Sequence, residues 1–121
     1  MIIEALCGRA RTLDELHALQ RAGVTTYCCA VSWAEVFAGL RPGEEAATEA
    51  FFELRADVPI DAQVGRRAGR YLARFARSHG LDVADALIGA VASATRLRLW
   101  TRNRRHYPMD DVQFYEPTSL R

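Results

Sequence analysis

The chain contains no lysine: all 16 of its basic residues are arginines, set against 15 acidic residues for a net charge of +1. This near balance excludes a strong overall field that would by itself indicate nucleic-acid binding. Arginine nevertheless offers a planar fork that bonds phosphates bidentately and stacks on bases. Two explanations of the bias stay open, phosphate recognition and the codon usage of a GC-rich genome, of which the second is the simpler.

Cysteine is also scarce, with Cys7, Cys28 and Cys29 alone. The odd count and the adjacent pair argue against a disulfide framework, and the absence of a Cys-x-x-Cys motif argues against a zinc site. We expect Cys28 and Cys29 to be reduced core residues of a cytoplasmic protein, pointing to opposite faces of a strand. No apolar run reaches membrane-spanning length, and Met1–Cys7 lacks the features of a signal peptide.

Strands and helices alternate along the rest of the chain. Its 121 residues are enough for one domain, which we assign to residues 1–121. Thr25–Val31 and Leu97–Thr101 have the composition of strands, and Asp82 precedes a helical stretch. Strands separated by helices predict an α/β fold with a mostly parallel central sheet covered by helices. Met1–Leu6 resembles the turn that leads from a strand into a helix, so we expect the first strand of the sheet to be missing.

Two carboxylates, Glu35 and Asp85, stand near the starts of predicted helices. Each follows a capping residue by three positions, Ser32 and Asp82 respectively, so each has a structural explanation as part of a helix cap. Asp85 is also flanked by core-forming residues, and a nearly buried carboxylate needs a partner, a raised pKa or a metal. Asp82 is better placed for capping than for ligation. Carboxylates that converge at strand ends are typical of divalent-metal sites for phosphodiester chemistry.

Polar residues follow the strand Leu97–Thr101. Asn103 lies on the rim where open α/β sheets bind ligands, and its amide can orient a water or a phosphate. His106 is either a proton shuttle or a hydrogen-bonded structural residue. Three arginines near these positions are candidates for contacts to substrate phosphates: Arg102, Arg104 and Arg105.

Two further groups have simpler explanations. A second set of arginines recurs every three or four residues and therefore shares one helix face, which is typical of a solvated surface: Arg66, Arg70, Arg74 and Arg77. Three aromatic residues are able to stack on bases, and for the two tryptophans among them we favour packing in the core: Trp33, Trp100 and Tyr107.

Taken in order, five short segments resemble the PIN-domain endoribonucleases, in particular the VapC-type toxins of bacterial toxin–antitoxin pairs. Each segment is weak alone, but their order and spacing are specific, and together they cover nearly the whole chain: Ile2–Gly8, Ser32–Leu40, Val58–Asp61, Asp85–Ala90 and Thr101–Tyr107. The resemblance implies a PIN-like three-layer α/β/α fold. It also implies RNA cleavage that depends on Mg²⁺ or Mn²⁺, in which acidic residues at the sheet rim lower the pKa of a metal-bound water.

The resemblance assigns roles to individual residues. Glu35 matches the family's second acid and Asp85 its third, which makes them the metal ligands. At the fourth position, where many relatives carry an acid, this sequence offers Asn103 and His106. Glu35, Asp85 and Asn103 are thus the implied catalytic residues. The resemblance further implies an RNA substrate, a homodimer and a cognate antitoxin that silences the enzyme.

The family's first acid ends its first strand, and the alignment of Ile2–Glu4 places that acid before Met1. We therefore expect a chain that starts too late, at a valine codon used as initiator, and that lacks both the strand and one metal ligand. Such a chain should be a weak or inactive nuclease. The alternative function is a catalytically silent PIN-like protein that still binds RNA or antitoxin.

Overall fold

The computed structural model describes residues 3–7, 18, 21–53, 55–101 and 104–116. Within these residues the elements follow one another as strands and helices in near alternation. The strands are β1 (Ile3–Cys7), β2 (Val24–Cys28), β3 (Ala56–Asp57) and β4 (Arg98–Trp100). The helices are α1 (Ala30–Ala38), α2 (Glu45–Glu53), α3 (Ala62–His79) and α4 (Val83–Thr95), followed by a short 3₁₀ helix at Arg104–His106. None of these helices is both long and apolar enough to cross a membrane.

The four strands form one parallel sheet in the order β3-β2-β1-β4. The predicted α/β fold with a parallel sheet is therefore confirmed. The expected absence of the first strand is wrong, because β1 takes a central position, with Ala5 opposite both Thr26 and Arg98. A central strand supplies backbone partners to both neighbours, which would otherwise each present an unpaired edge.

Helices cover both faces of the sheet, as the three-layer prediction requires. One hydrophobic cluster joins the sheet to α3 and α4, and it includes Val64, Ile88 and Leu99. A second cluster joins the other face to α1 and α2, and it includes Phe52 and Trp100. Neighbouring residues of β4 thus enter opposite clusters, as the two-residue period of a strand demands.

Cys28 and Cys29 divide in the same way. Both are fully buried free thiols, and Cys28 belongs to the cluster with α1 and α2 whereas Cys29 belongs to the cluster with α3 and α4. Their predicted orientation toward opposite faces is confirmed. Burial raises the pKa of the Cys29 thiol above its ordinary value of 9.0, so this residue behaves as a small apolar side chain.

Local capping chemistry sets the ends of the two long helices. The side chain of Asp61 accepts a hydrogen bond from the backbone N–H of Val64 at 3.0 Å, which begins α3. α3 ends at Gly80, whose φ of 63° lies in the left-handed region that favours glycine. Asp82 then caps α4 in the same manner as Asp61 caps α3.

Candidate active site

The carboxyl ends of the parallel strands lie along one edge of the sheet, here called the carboxyl edge. α1 follows β2 after a single residue, so its first turn lies at this edge. α4 leads into the start of β4, so its last turn lies at the opposite edge and its first turn returns to the carboxyl edge. The 3₁₀ helix follows the end of β4. The topology therefore directs Glu35, Asp85 and His106 toward the same part of the molecule, where open α/β sheets bind ligands.

Glu35 does not belong to a capping box. α1 begins at Ala30 with Cys29 at its N-cap, so Ser32 is a buried residue inside the first turn rather than the cap. Glu35 consequently lies in the second turn, beyond reach of the cap backbone. The capping explanation of Glu35 is wrong, because the helix starts three residues earlier than the Ser32 pattern predicts. The Glu35 side chain is partly buried, and its Oε1 atom is shielded from solvent.

Asp82 and Asp85 divide the two roles that their spacing left open. The carboxylate of Asp82 accepts a hydrogen bond from the backbone N–H of Asp85 at 2.8 Å and caps α4, as predicted. The side chain of Asp85 is therefore not needed for capping. Asp85 is nonetheless only 3% exposed, which makes it one of the buried polar residues of the described chain. A buried carboxylate is costly unless it has partners, so its surroundings decide its role.

Tyr107 and His106, which follow β4 in the chain, both lie close to the Asp85 carboxylate. The hydroxyl of Tyr107, itself buried, donates a hydrogen bond to Oδ1 of Asp85 at 3.2 Å. The Nδ1 atom of the half-exposed His106 side chain lies 3.7 Å from Oδ2, within ion-pair distance when the imidazole is protonated. Asp85 is thus held on one oxygen by a neutral donor and faces a titratable ring on the other. His106 therefore has a definite partner, and this contact is compatible with both the proton-shuttle role and the structural role that the sequence left open.

The contribution of Tyr107 could not be found from the sequence. The residue was considered only for base stacking, which its burial excludes, and it forms an edge contact with Phe114 instead. Trp100 is buried, as predicted. Trp33 packs against Phe52 with ring centroids 4.6 Å apart.

The segment that carries His106 and Tyr107, residues 104–116, is here called the rim segment. Its Asp111 carboxylate accepts hydrogen bonds from Arg67 at 3.1 Å and from the hydroxyl of Tyr71 at 2.7 Å, and both donors lie on α3. The Tyr71 hydroxyl also lies 2.6 Å from that of Ser93 on α4. Burial is the main cause that raises the pKa of Tyr71 above 10.0. This network ties the rim segment to both helices.

The predicted substrate contacts fall partly within the described residues. Arg102 and Asn103 lie outside them, so their roles stay predictions. Arg104 is exposed, forms an ion pair with Glu116 at 2.5 Å, and places its guanidinium over the ring of Phe114. Arg105 is exposed on the same 3₁₀ helix. Of the two arginines of this set that the structure describes, Arg105 is therefore the one without such a competing partner.

The donors at this edge suit a hard divalent cation in kind. Carboxylate oxygens are the preferred ligands of Mg²⁺, which keeps several waters and is commonly held by only one or two carboxylates together with substrate phosphates. The buried carboxylate of Asp85 fits that pattern. Glu35 lies on α1, and this helix contacts α4, the helix that carries Asp85. Within the described residues, no group of three or more His, Cys, Asp or Glu side chains is placed to hold a metal. A shared cation between Glu35 and Asp85 stays a prediction.

Comparison with known proteins agrees with this architecture. The model of the PIN domain matches residues 1–112. The chain belongs to the PIN-domain family. Two ribonucleases of Mycobacterium tuberculosis are similar to this PIN domain. Ribonuclease VapC19 is 41% identical over 76 residues, which cover 62% of this chain and 61% of the relative. Ribonuclease VapC10 is 35% identical over 80 residues, 65% of this chain and 60% of the relative. The chain thus spans about three fifths of the length of the curated relatives it matches.

Solved structures share the same PIN fold. VapBC2 from Rickettsia felis, bound to promoter DNA, superposes with a TM-score of 0.71 at 16% identity, covering 93% of this chain and 98% of that one. VapBC-1 from nontypeable Haemophilus influenzae superposes with a TM-score of 0.71 at 17% identity, covering 96% and 98%. A toxin–antitoxin complex from Klebsiella pneumoniae gives 0.67 at 21% identity, covering 93% and 98%. At these identities the likeness concerns the fold.

Proposed function

We propose that this PIN domain is a metal-dependent endoribonuclease of the VapC class, the toxin of a type II toxin–antitoxin pair that acts in the cytoplasm. The observation that carries the proposal is the state of Asp85. Its carboxylate is buried at the carboxyl edge and accepts a hydrogen bond from a tyrosine hydroxyl. It is not used to cap α4, because the Asp82 side chain performs that role. The similarity to two mycobacterial ribonucleases supports RNA as the substrate class.

Asp85 and Glu35 would hold Mg²⁺ or Mn²⁺, with Asn103 near them. When bound, the ion supplies a water of lowered pKa as nucleophile. Tyr107 fixes the orientation of the Asp85 carboxylate, since a donor to one carboxylate oxygen restricts rotation of the group and so the position of its second oxygen. His106 stands beside that second oxygen, where its imidazole is able to take or give a proton near the scissile phosphate. Arg102, Arg104 and Arg105 would bind the substrate phosphates.

The same proposal includes the partners of a toxin. A cognate antitoxin would silence the enzyme, and two copies of this chain would form a homodimer. The structural neighbours described as toxin–antitoxin complexes support the first expectation through their common fold.

One observation favours a second candidate, a silent PIN-like protein that binds RNA or antitoxin without cutting. The described residues contain no metal-binding group of three or more acidic, histidine or cysteine side chains. A site with few ligands holds a cation weakly, so binding without turnover is the function that remains if cleavage fails.

Two isosteric variants separate these functions. Asp85→Asn removes the buried charge, whereas Asp82→Asn makes the same change three residues away and retains a side chain that caps helices well. We expect cleavage of a cellular RNA pool to require Mg²⁺ or Mn²⁺, to fall at least about 100-fold in Asp85→Asn, and to persist in Asp82→Asn. Equal activity of the two variants refutes the role of Asp85. RNA binding without cleavage, unaffected by a chelator, supports the silent protein instead.

A further inference from the structure

α3 carries a concentration of positive charge that the proposed active site does not use. The helix contains no Asp or Glu, and its charged residues other than His79 are all arginines. Four of them lie within about 80° of one another around the helix axis at 100° per residue, and we call them the α3 arginine face: Arg66, Arg70, Arg74 and Arg77. All four are exposed. Like charges this close repel, so the arrangement does not stabilise the helix.

The described structure leaves most of this charge uncompensated. The neighbouring Arg67 is neutralised by Asp111, and Arg74 lies over the ring of Phe75. By contrast, Arg66, Arg70 and Arg77 form no ion pair with any described residue. Their guanidinium groups therefore face solvent as free donors, each able to form a bidentate pair with a phosphate.

The surface around these arginines is open and lacks apolar anchors. Gly65 and Gly69 immediately precede Arg66 and Arg70, and a Cβ atom added at either glycine would meet nothing within 4 Å. A groove of about 340 Å³ between α3 and α4 is lined by Gln63, Arg66, Arg67, Arg70 and Ala94. Among the described residues the exposed large hydrophobic side chain is Val83, which lies at the start of α4. Protein interfaces are anchored by aromatic and aliphatic side chains, which this face does not offer.

The spacing of the arginines suits a linear polyanion. Steps of four residues along an α-helix advance about 6 Å, and the face spans roughly 16 Å from Arg66 to Arg77. The start of α3 packs on the end of α4, since Arg67 bonds to Ser93 and Arg66 shares a groove with Ala94. The end of α3 is joined by a short turn to the start of α4, where Asp85 lies. The face therefore runs from Arg66, at the far end of α4, toward the candidate active site at Arg77. We propose that the α3 arginine face binds the sugar–phosphate backbone of RNA outside the cleavage site, an inference that rests on the proposed ribonuclease function.

The test measures RNA binding by the full chain with cleavage disabled by Asp85→Asn. In that background, Arg66→Gln/Arg70→Gln removes two charges from the face. Arg41→Gln/Arg98→Gln removes two exposed charges elsewhere and serves as the matched control. We expect the first pair to weaken binding of a single-stranded RNA about tenfold. It should also lower the slope of log affinity against log salt by roughly 1.4, because each phosphate contact contributes about 0.7 for single strands. The control should change neither quantity.

The outcomes separate this inference from the proposed function. Unchanged affinity and salt slope in Arg66→Gln/Arg70→Gln overturn the inference even when the chain with Asp85 intact cleaves RNA. Weaker binding with a reduced slope supports it even when no cleavage is found. Failure of every form to bind RNA overturns the inference. An acidic peptide serves as a second probe: if Arg66→Gln/Arg70→Gln loses binding to this peptide but keeps its affinity for RNA, the inference is also overturned. Thermal melts of the two double variants should coincide, since all four arginines are exposed.

Discussion

Two equally buried tyrosines, one with and one without a hydrogen-bond partner for its hydroxyl group among the described residues, test the positioning of Asp85. Tyr107 is 3% exposed and donates to Asp85, whereas Tyr115 is 2% exposed and its hydroxyl has no hydrogen-bond partner in the described part of the chain. Tyr107→Phe and Tyr115→Phe each delete one oxygen atom and leave the ring in place. The two substitutions should change stability in opposite directions.

The expected magnitudes follow from the geometry. A hydrogen bond to a charged group contributes about 1.5–3 kcal/mol, and the 3.2 Å separation at Tyr107 is longer than a strong bond to a carboxylate, so the lower value of about 1.5 kcal/mol applies. An unsatisfied buried hydroxyl costs about 1–3 kcal/mol, so Tyr115→Phe should raise the free energy of unfolding by about 1 kcal/mol. The two variants should therefore differ by about 2.5 kcal/mol.

Urea unfolding at neutral pH measures this difference directly, and calorimetric titration with Mn²⁺ supplies an independent measurement. Loss of the Tyr107 donor should weaken Mn²⁺ binding and RNA cleavage about 10- to 100-fold, because a carboxylate ligand is oriented by its hydrogen-bond donor. Tyr115→Phe should change neither. Equal free energies of unfolding for the two variants, or unchanged Mn²⁺ affinity in Tyr107→Phe, would refute the positioning of Asp85 by Tyr107.

Three further expectations concern stability. Asp82→Ala should lower the free energy of unfolding by about 1 kcal/mol in urea titration, with Asp82→Asn nearly neutral, because Asn also caps helices; equal losses would deny the cap. Gly69→Ala should raise the melting temperature through a gain of about 0.5–1 kcal/mol, since the added methyl group meets open space on an exposed helix; a lower melting temperature would contradict this. Burial raises the pKa of both Cys29 and Tyr71, so these side chains ionise at a lower pH in the unfolded chain than in the folded one. Their contribution to the free energy of unfolding should be fully present below pH 9.0 and be lost progressively above it. In Cys29→Ala the decline in the free energy of unfolding, measured by urea titration, should start nearer pH 10.0. A pH profile identical to that of the unmodified chain would show that the Cys29 thiol does not contribute to the decline.

Local chemistry made much of the fold predictable. The Asp82 cap, the alternation of strands and helices, and the opposite orientations of Cys28 and Cys29 depend on residue types and short spacings. β1 was missed because a five-residue apolar segment has no period that separates a strand from a turn. Its assignment depends on β2 and β4, which are distant in sequence.

The sequence names Glu35 and Asp85 as the candidate acids of the site, but it does not reveal their surroundings. Glu35 was ambiguous because Ser32 imitates a cap, and only the true start of α1 at Ala30 removes that explanation. Tyr107 and Asp111 act through partners 22 and 40 residues away in the chain. No local pattern encodes such pairs, since they arise from how the rim segment lies over α3 and α4.

The rim segment is attached at three independent points: backbone bonds from Leu99 to Gln113 and Tyr115, the packing of Met109 on Gly89, and the Asp111 network. A segment held in this way opens only with its supporting core, so its amide protons should exchange with solvent as slowly as those of β4. The rim segment therefore stays in place and does not move as a lid. Under the proposed ribonuclease function, an RNA substrate would have to supply the flexibility itself, which would favour unpaired loops and bulges over rigid duplex.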